Sequence, residues 1–218
     1  MIPIEMTSQN YPYLDTLRRD VLALIPYEGS IIGSIGCGQA ATEEVLARSG
    51  REVHGVDVSD EAVAIARSRI TSARVIDAND DMPFPENRLD GLLLIDVLEH
   101  LPLAKHRLKS YTKMLKKGGW MVISVPNMQH VEVLATLAFS GDWPEHPMGI
   151  YDETHIQVMT HARLRRWADE AGLNFLKYQD SYDHRFWRRN IYRTIDKATF
   201  GLFRGYLQFE VVALFLRK

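Results

Sequence analysis

Apolar residues in the first 130 positions form two kinds of run that take turns along the chain. Continuous apolar runs, the pattern of strands buried on both faces, stand at SIIGSI (30–35), EVHGVDV (52–58), ARVIDA (73–78), LDGLLLID (89–96) and WMVISVP (120–126). Between them lie stretches with apolar residues at helical spacing: DTLRRDVLALI (15–25), QAATEEVLARSG (39–50), EAVAIARSRI (61–70) and AKHRLKSYTKMLKKGG (104–119). Punctuation agrees with this division. Gly50 is placed to stop one helix, Ser59 and Asp60 to start the next, Gly118-Gly119 to end the last, and Pro126 to close the fifth strand. Strands alternating with helices predict an α/β fold, a mostly parallel sheet with helices on both faces. In such a sheet the loops at the carboxyl ends of the strands form the ligand crevice.

Beyond Pro126 the rhythm changes. MQHVEVLATLAF (128–139) reads as a helix, and a long turn-rich loop over 140–160 follows, holding aromatic, histidine and acidic residues. Loops of that length inside a compact domain are often functional. A helix at HARLRRWADEAG (161–172), stopped by Gly172, precedes a strand at LNFLKYQD (173–180). A basic, aromatic segment spans 181–206, and the chain closes on the apolar strand LQFEVVALFLRK (207–218). No repeat interrupts the chain, and its 218 residues suit one domain over 1–218.

Composition excludes more than it selects. A formal charge of −2 gives no bulk argument for a nucleic-acid partner. One cysteine, Cys37, excludes an intramolecular disulfide framework and a cysteine-built zinc site, and the scattered histidines show no tight ligand spacing, so no metal is expected. No signal-like start and no apolar run of membrane-spanning length is present, and a soluble cytoplasmic protein is the expectation.

The chemistry begins at IIGSIGCGQAAT (31–42). Gly36 and Gly38 sit at a strand-to-helix turn, where they serve either close backbone approach to a ligand or a tight turn alone. Asp57 ends the second strand, and a carboxylate there can accept hydrogen bonds from the hydroxyls of a ribose. Together they indicate an adenosine-type ligand, and both NAD and S-adenosylmethionine fit.

Later segments narrow the choice. With Asp57, Asp77-Ala78, VLEHL (97–101) and LKKGGWMVISVPN (115–127), the chain resembles the class I S-adenosylmethionine-dependent methyltransferases over about residues 15–180. The segment SVPNMQHVEVLATLAFSGDWPEHPMGIYDETHIQVMTHARLRRWADEAGL resembles a subgroup associated with surface-glycan synthesis, and its Thr-His pair also resembles quinone-pathway O-methyltransferases. The resemblance implies a Rossmann-like, seven-stranded sheet whose last strand is antiparallel. It implies cofactor contacts at Ser34, Gly36, Cys37, Gly38, Asp57, Val58, Asp77, Ala78 and Asp96, and methyl transfer to a small-molecule or glycan acceptor, at oxygen. Two departures stand out: Ser34 occupies the place of the family's loop acid and Ala40 that of its last glycine. They keep a non-catalytic, cofactor-binding homologue as an alternative, beside an NAD(P)-dependent oxidoreductase.

A hydroxyl acceptor calls for a base. His155, in the 140–160 loop expected on the acceptor side, is the first candidate, with Asp152 to orient it. His100, after the fourth strand, is the second. His130 is the third, with a helix-start position on the surface as its plainer reading. Trp143 and Tyr151 either wall the acceptor site or anchor the loop. Tyr11 and Tyr13 precede a helix that in this family often closes over the cofactor. The 181–206 segment carries Arg185, Arg188, Arg189, Arg193, Lys197 and Arg204 among aromatics, which suits either peripheral contact with anionic lipid or a lipid-linked acceptor, or an amphipathic helix packed on the domain or in a homodimer.

Overall fold

The computed structural model describes residues 15–79, 82–182 and 186–218. Strands β1 (Ile31–Ile35), β2 (Glu52–Asp57), β3 (Ser72–Val75), β4 (Leu89–Ile95), β5 (Leu115–Pro126), β6 (Leu173–Gln179) and β7 (Glu210–Arg217) form one sheet in the order β3-β2-β1-β4-β5-β7-β6. The first five strands are parallel, and β7 runs antiparallel to both of its neighbours. The expected α/β architecture is therefore present, closing strand included. The order of connection reverses between β1 and β4, so a crevice opens there beyond the carboxyl ends of the strands.

Side-chain alternation divides the core into two layers. From β4, Leu92 and Leu94 face one side and pack with Leu108, Tyr111, Leu164 and Trp167, carried by α4 (Ala104–Met114) and α6 (His161–Glu170). Leu93 faces the other side, with Leu46 from α2 (Ala41–Arg48) and Val63 from α3 (Asp60–Ala66). Gly91 shows how tight this second layer is, since a Cβ there would lie 2.1 Å from the Trp120 ring.

Helix ends follow the expected chemistry in part. The Ser59 hydroxyl accepts from Ala62 N–H at the start of α3, and the Thr160 hydroxyl accepts from Arg163 N–H at the start of α6. Two expected helices are shorter than their patterns. The first is reduced to α1 (Arg19–Leu22), because Arg18 is drawn away: its N–H donates to Thr42 Oγ1 and its guanidinium to acids across the sheet. The helix expected to run to Gly118-Gly119 stops at Met114. There Leu115 turns extended and pairs with Leu89, while Asn87 and Arg88 N–H groups take the carbonyls of Lys113 and Met114. A buried place for Leu115 in the sheet outweighs three more residues of helix.

After β5 come α5 (Val131–Ser140), the irregular 140–160 loop, α7 (Phe186–Ala198) and the short α8 (Arg204–Leu207). Tyr11, Tyr13 and Arg185 lie outside the described residues, as do the side chains of Phe186, Trp187 and Arg188. Among the described residues no helix is long and apolar enough to cross a membrane.

Candidate active site

A cleft of about 460 Å³ opens over the carboxyl ends of β1 to β5. Its floor is the turn after β1. Gly36 and Cys37 N–H groups both donate to Val56 O, which locks the turn against β2. Gly36 takes φ +70°, and a Cβ there would meet Val97 Cγ2 at 2.5 Å, so glycine is required on two counts. Gly38 N–H donates to Asp57 Oδ2 at 2.7 Å, and Ser59 N–H donates to Asp57 Oδ1 at 3.0 Å. These two bonds fix the carboxylate on the cleft wall and leave each oxygen a further acceptor site, the arrangement a ribose diol needs. Asp77, Ala78 and Val58 also line the cleft. Asp77 is held by Asn79 N–H at 2.8 Å, and Ala78 O accepts from Tyr111 Oη at 2.7 Å.

The two departures in the turn lie behind the wall. Ser34 is fully buried within β1 and does not line the cleft; its hydroxyl donates to Glu43 Oε1 at 2.6 Å. Glu43, in the first turn of α2, does line it. Burial pushes the Glu43 carboxyl up to about 7, with Ser34 opposing and Asp57 adding to the rise. Ala40 adopts the left-handed φ of +63° that glycine accepts freely, at a cost of about 1–2 kcal/mol. Its methyl packs into the core beneath the turn and leaves the cleft clear.

Asp96, just past β4, also sits at a left-handed φ of +52°. Its N–H donates to Ser124 O, and Ser124 Oγ donates to its Oδ1 at 2.6 Å. Arg18 donates to Asp96 Oδ2, to Glu210 Oε2 and, at 2.9 Å, to Asp20 Oδ2. Burial works against the guanidinium charge, but these acids together hold its proton more firmly than usual. Burial, with Asp96 nearby, pushes Glu210 up to about 8 against the pull of Arg18. Neither Arg18 nor Glu210 could be picked out beforehand, because each reaches the site only through the fold.

At the far end, the 140–160 loop is stapled to the 3-10 turn Leu98–His100. Ile156 and Gln157 N–H groups donate to Glu99 O, and Gln157 Nε2 donates to Leu101 O. This brings His155 against His100, with ring centroids 4.8 Å apart, and sets His155 Nε2 4.0 Å from Glu99 Oε1. Glu99 is fully buried, and neither carboxyl oxygen has a hydrogen-bond partner among the described residues. Burial, with Asp96 adding, raises it well above the ordinary carboxylate range. Burial lowers both imidazoles below their usual value, so at neutral pH they stand unprotonated.

Asp152 does not orient His155 as expected. Its Oδ1 accepts from Thr154 N–H at 2.8 Å and from Thr154 Oγ1 at 2.6 Å, and Thr154 Oγ1 lies 3.0 Å from His100 Nδ1. Since the threonine proton goes to the carboxylate, His100 Nδ1 must donate to Thr154, which leaves its Nε2 as an acceptor with no hydrogen-bond partner among the described residues. The oriented imidazole is therefore His100. His155 Nδ1 faces Ile150 O at 3.4 Å. His130 is not at the surface: it is fully buried at the N-terminus of α5, where Nδ1 accepts from Glu132 N–H, and it is not on the cleft wall. Trp143 and Tyr151 pack edge-on at 5.3 Å, and neither lines the cleft.

Two groups of side chains could hold something. Glu99, His100 and His155 bring ligand atoms within 4.8 Å of one another, a three-ligand set that their scattered sequence positions did not reveal. The cleft as a whole presents seven carboxyl side chains against one arginine among the described residues. An acid-rich cleft at the switch point of such a sheet, beside a carboxylate placed for a ribose diol, has the chemistry to take a cationic nucleoside.

Comparison with known proteins names the family. A family model described as "Methyltransferase domain" matches residues 6–178. A ubiquinone biosynthesis O-methyltransferase from Hydrogenovibrio crunogenus is 30% identical over 156 residues, 69% of this chain and 64% of its own. One from Alkalilimnicola ehrlichii is 30% identical over 169 residues, 73% of this chain and 68% of its own. The match thus spans about two thirds of each curated relative. Magnesium protoporphyrin IX methyltransferase from Synechocystis, solved with S-adenosylhomocysteine bound, superposes with a TM-score of 0.61 at 15% identity, covering 87% of this chain and 75% of that one. The chain belongs to the methyltransferase-domain family, whose methyl donor is S-adenosylmethionine. The oxidoreductase alternative falls with that assignment.

Proposed function

We propose that this chain transfers a methyl group from S-adenosylmethionine to an oxygen of a small-molecule acceptor. The observation that carries the proposal is the cleft's surplus of buried carboxyls, Glu43, Asp57 and Glu99 among them, at the carboxyl ends of the central strands. A buried acid without a cation is costly, and a ligand bearing a sulfonium and an ammonium relieves that cost.

When bound, the cofactor supplies an activated methyl group on a positively charged sulfur. The protein's part is orientation, which can contribute about 7–11 kcal/mol in favourable cases, and handling of the acceptor proton. His155, neutral at pH 7 and beside Glu99, takes the hydroxyl proton. His100, fixed through Thr154 and Asp152, packs its ring against His155 and holds that imidazole in place.

The named relatives support oxygen as the atom methylated. Resemblance to the surface-glycan subgroup supports a sugar hydroxyl, and the two acceptor types are separated by offering phenolic and glycan hydroxyls with isotope-labelled donor. Label on either oxygen supports the proposal; label on nitrogen alone, or on neither acceptor while donor binds, counts against it. Fully exposed Phe200, with exposed Leu202 beside the Arg204 turn, supports presentation of the acceptor at an anionic lipid surface. Co-sedimentation with anionic but not neutral vesicles checks that point.

The Glu99, His100 and His155 cluster supports a second reading, a divalent cation that orients and acidifies the acceptor hydroxyl. Activity lost to a chelator and restored by added cation would favour it; activity indifferent to chelation would leave His155 as the base.

A further inference from the structure

Glu43 is counted above only as one of the cleft's buried carboxyls, with no ligand group assigned to it, and its position is costly. It is 2% exposed, it lies on the cleft wall, and its one hydrogen-bonding side-chain partner among the described residues is the neutral Ser34. No cation among the described residues forms a salt bridge with it, and Asp57 stands close enough to add repulsion. A structural acid in a core would have a guanidinium or several N–H donors. This one has a serine that aims it and a single backbone N–H, its own.

Its place along the cleft says what it faces. Asp57 and Asp77 mark the end where an adenosine would lie, over β2 and β3. The remainder of the ligand must run past the Gly36-Gly38 turn toward β1 and β4, along the wall that Glu43 shares with Thr42 and Arg18. The tail of S-adenosylmethionine is an amino acid, with one ammonium and one carboxylate.

We propose that Glu43 is the carboxylate that receives the ammonium of the bound cofactor, supplied from α2 and held in place by Ser34. The inference rests on the S-adenosylmethionine reading and adds a residue to it. Serine at position 34 then has a use of its own: it holds an acid that the helix supplies nine positions later. Ser34 acts as a positioning residue: its hydroxyl fixes the Glu43 rotamer through Oε1, and the carboxyl keeps acceptor lone pairs for the ligand.

The test uses two ligands that differ only in the amino group, S-adenosylhomocysteine and its desamino analogue, titrated calorimetrically into the full chain. Wild type should prefer S-adenosylhomocysteine by tenfold or more. Glu43→Gln should lose most of that preference while binding the desamino analogue as wild type does. Ser34→Ala, which removes only the aiming hydroxyl, should lose part of it, and cooperative unfolding of both variants shows that they fold. Equal weakening of both ligands in Glu43→Gln, or an unchanged preference in both variants, would overturn the proposal. Failure of wild type to bind either ligand would instead refute the underlying cofactor reading.

Discussion

The two ends of the cleft are built in different ways. At the end proposed for the cofactor, each contact sits at the end of a strand or one turn beyond it, and its partners lie on the same or the adjacent strand-to-helix turn. Asp57 is held by Gly38 and Ser59, and Asp77 by Asn79. At the acceptor end the partners come from far apart: Glu99 and His100 from the turn after β4, and Asp152, Thr154 and His155 from the long loop. The first end is local backbone geometry. The second exists only when the loop is stapled down through Glu99 O. Binding and turnover should therefore separate under mutation.

The largest effect should come from the acceptor end. His155→Ala is expected to lower turnover roughly 100- to 10,000-fold while S-adenosylhomocysteine affinity stays as in wild type. Single-turnover kinetics beside a binding titration reads both, and equal loss in the two would erase the division between the ends. Next is Asp57→Ala, which removes a charged acceptor of ligand hydroxyls. It should weaken S-adenosylhomocysteine roughly 10- to 100-fold, in line with about 1.5–3 kcal/mol for a hydrogen bond to a charged group.

A third effect is on stability against pH. Glu43 and Glu210 have folded-state values raised to about 7 and about 8, against 4.5 for a free glutamate. Their protonated forms favour the folded state, so that contribution is full below about 4.5 and is lost as pH rises through 7 and 8. The lowered histidines His100 and His155 act in the opposite sense only at acid pH, where the unfolded chain takes up their protons. The ligand-free protein should thus lose stability between pH 6.5 and 8, and Glu43→Gln should lose less. Chemical denaturation at the two pH values measures this; an identical decline in the variant would mean that Glu43 is ionised at both.

The smallest effect belongs to Ala40. Glycine there would release about 1–2 kcal/mol of left-handed strain, but it would give up about 0.8 kcal/mol of buried methyl and add freedom to the unfolded chain. Ala40→Gly should therefore change stability by less than about 1 kcal/mol and leave cofactor affinity alone. Tighter binding in that variant would place the methyl in the ligand's way.

The same contrast explains what could be read from the sequence. Strand periodicity and glycine placement disclosed the sheet, the turn and Asp57, because each is marked by its own local pattern at the end of a strand. Glu43 escaped notice because TEE at the start of a helix is ordinary helix chemistry; only its burial beside Ser34 marks it. Arg18 was hidden inside a run that suggested a longer helix. The Asp152–Thr154–His100 chain spans more than 50 positions, and sequence spacing proposed Asp152 with His155 instead.

The most direct measurement is calorimetric titration of the full chain with S-adenosylhomocysteine and, separately, with NAD. Saturable binding of S-adenosylhomocysteine, with no heat from NAD, is the expected result. Binding of NAD, or no binding of S-adenosylhomocysteine at high micromolar concentration, would contradict the assignment of this cleft to a methyl donor.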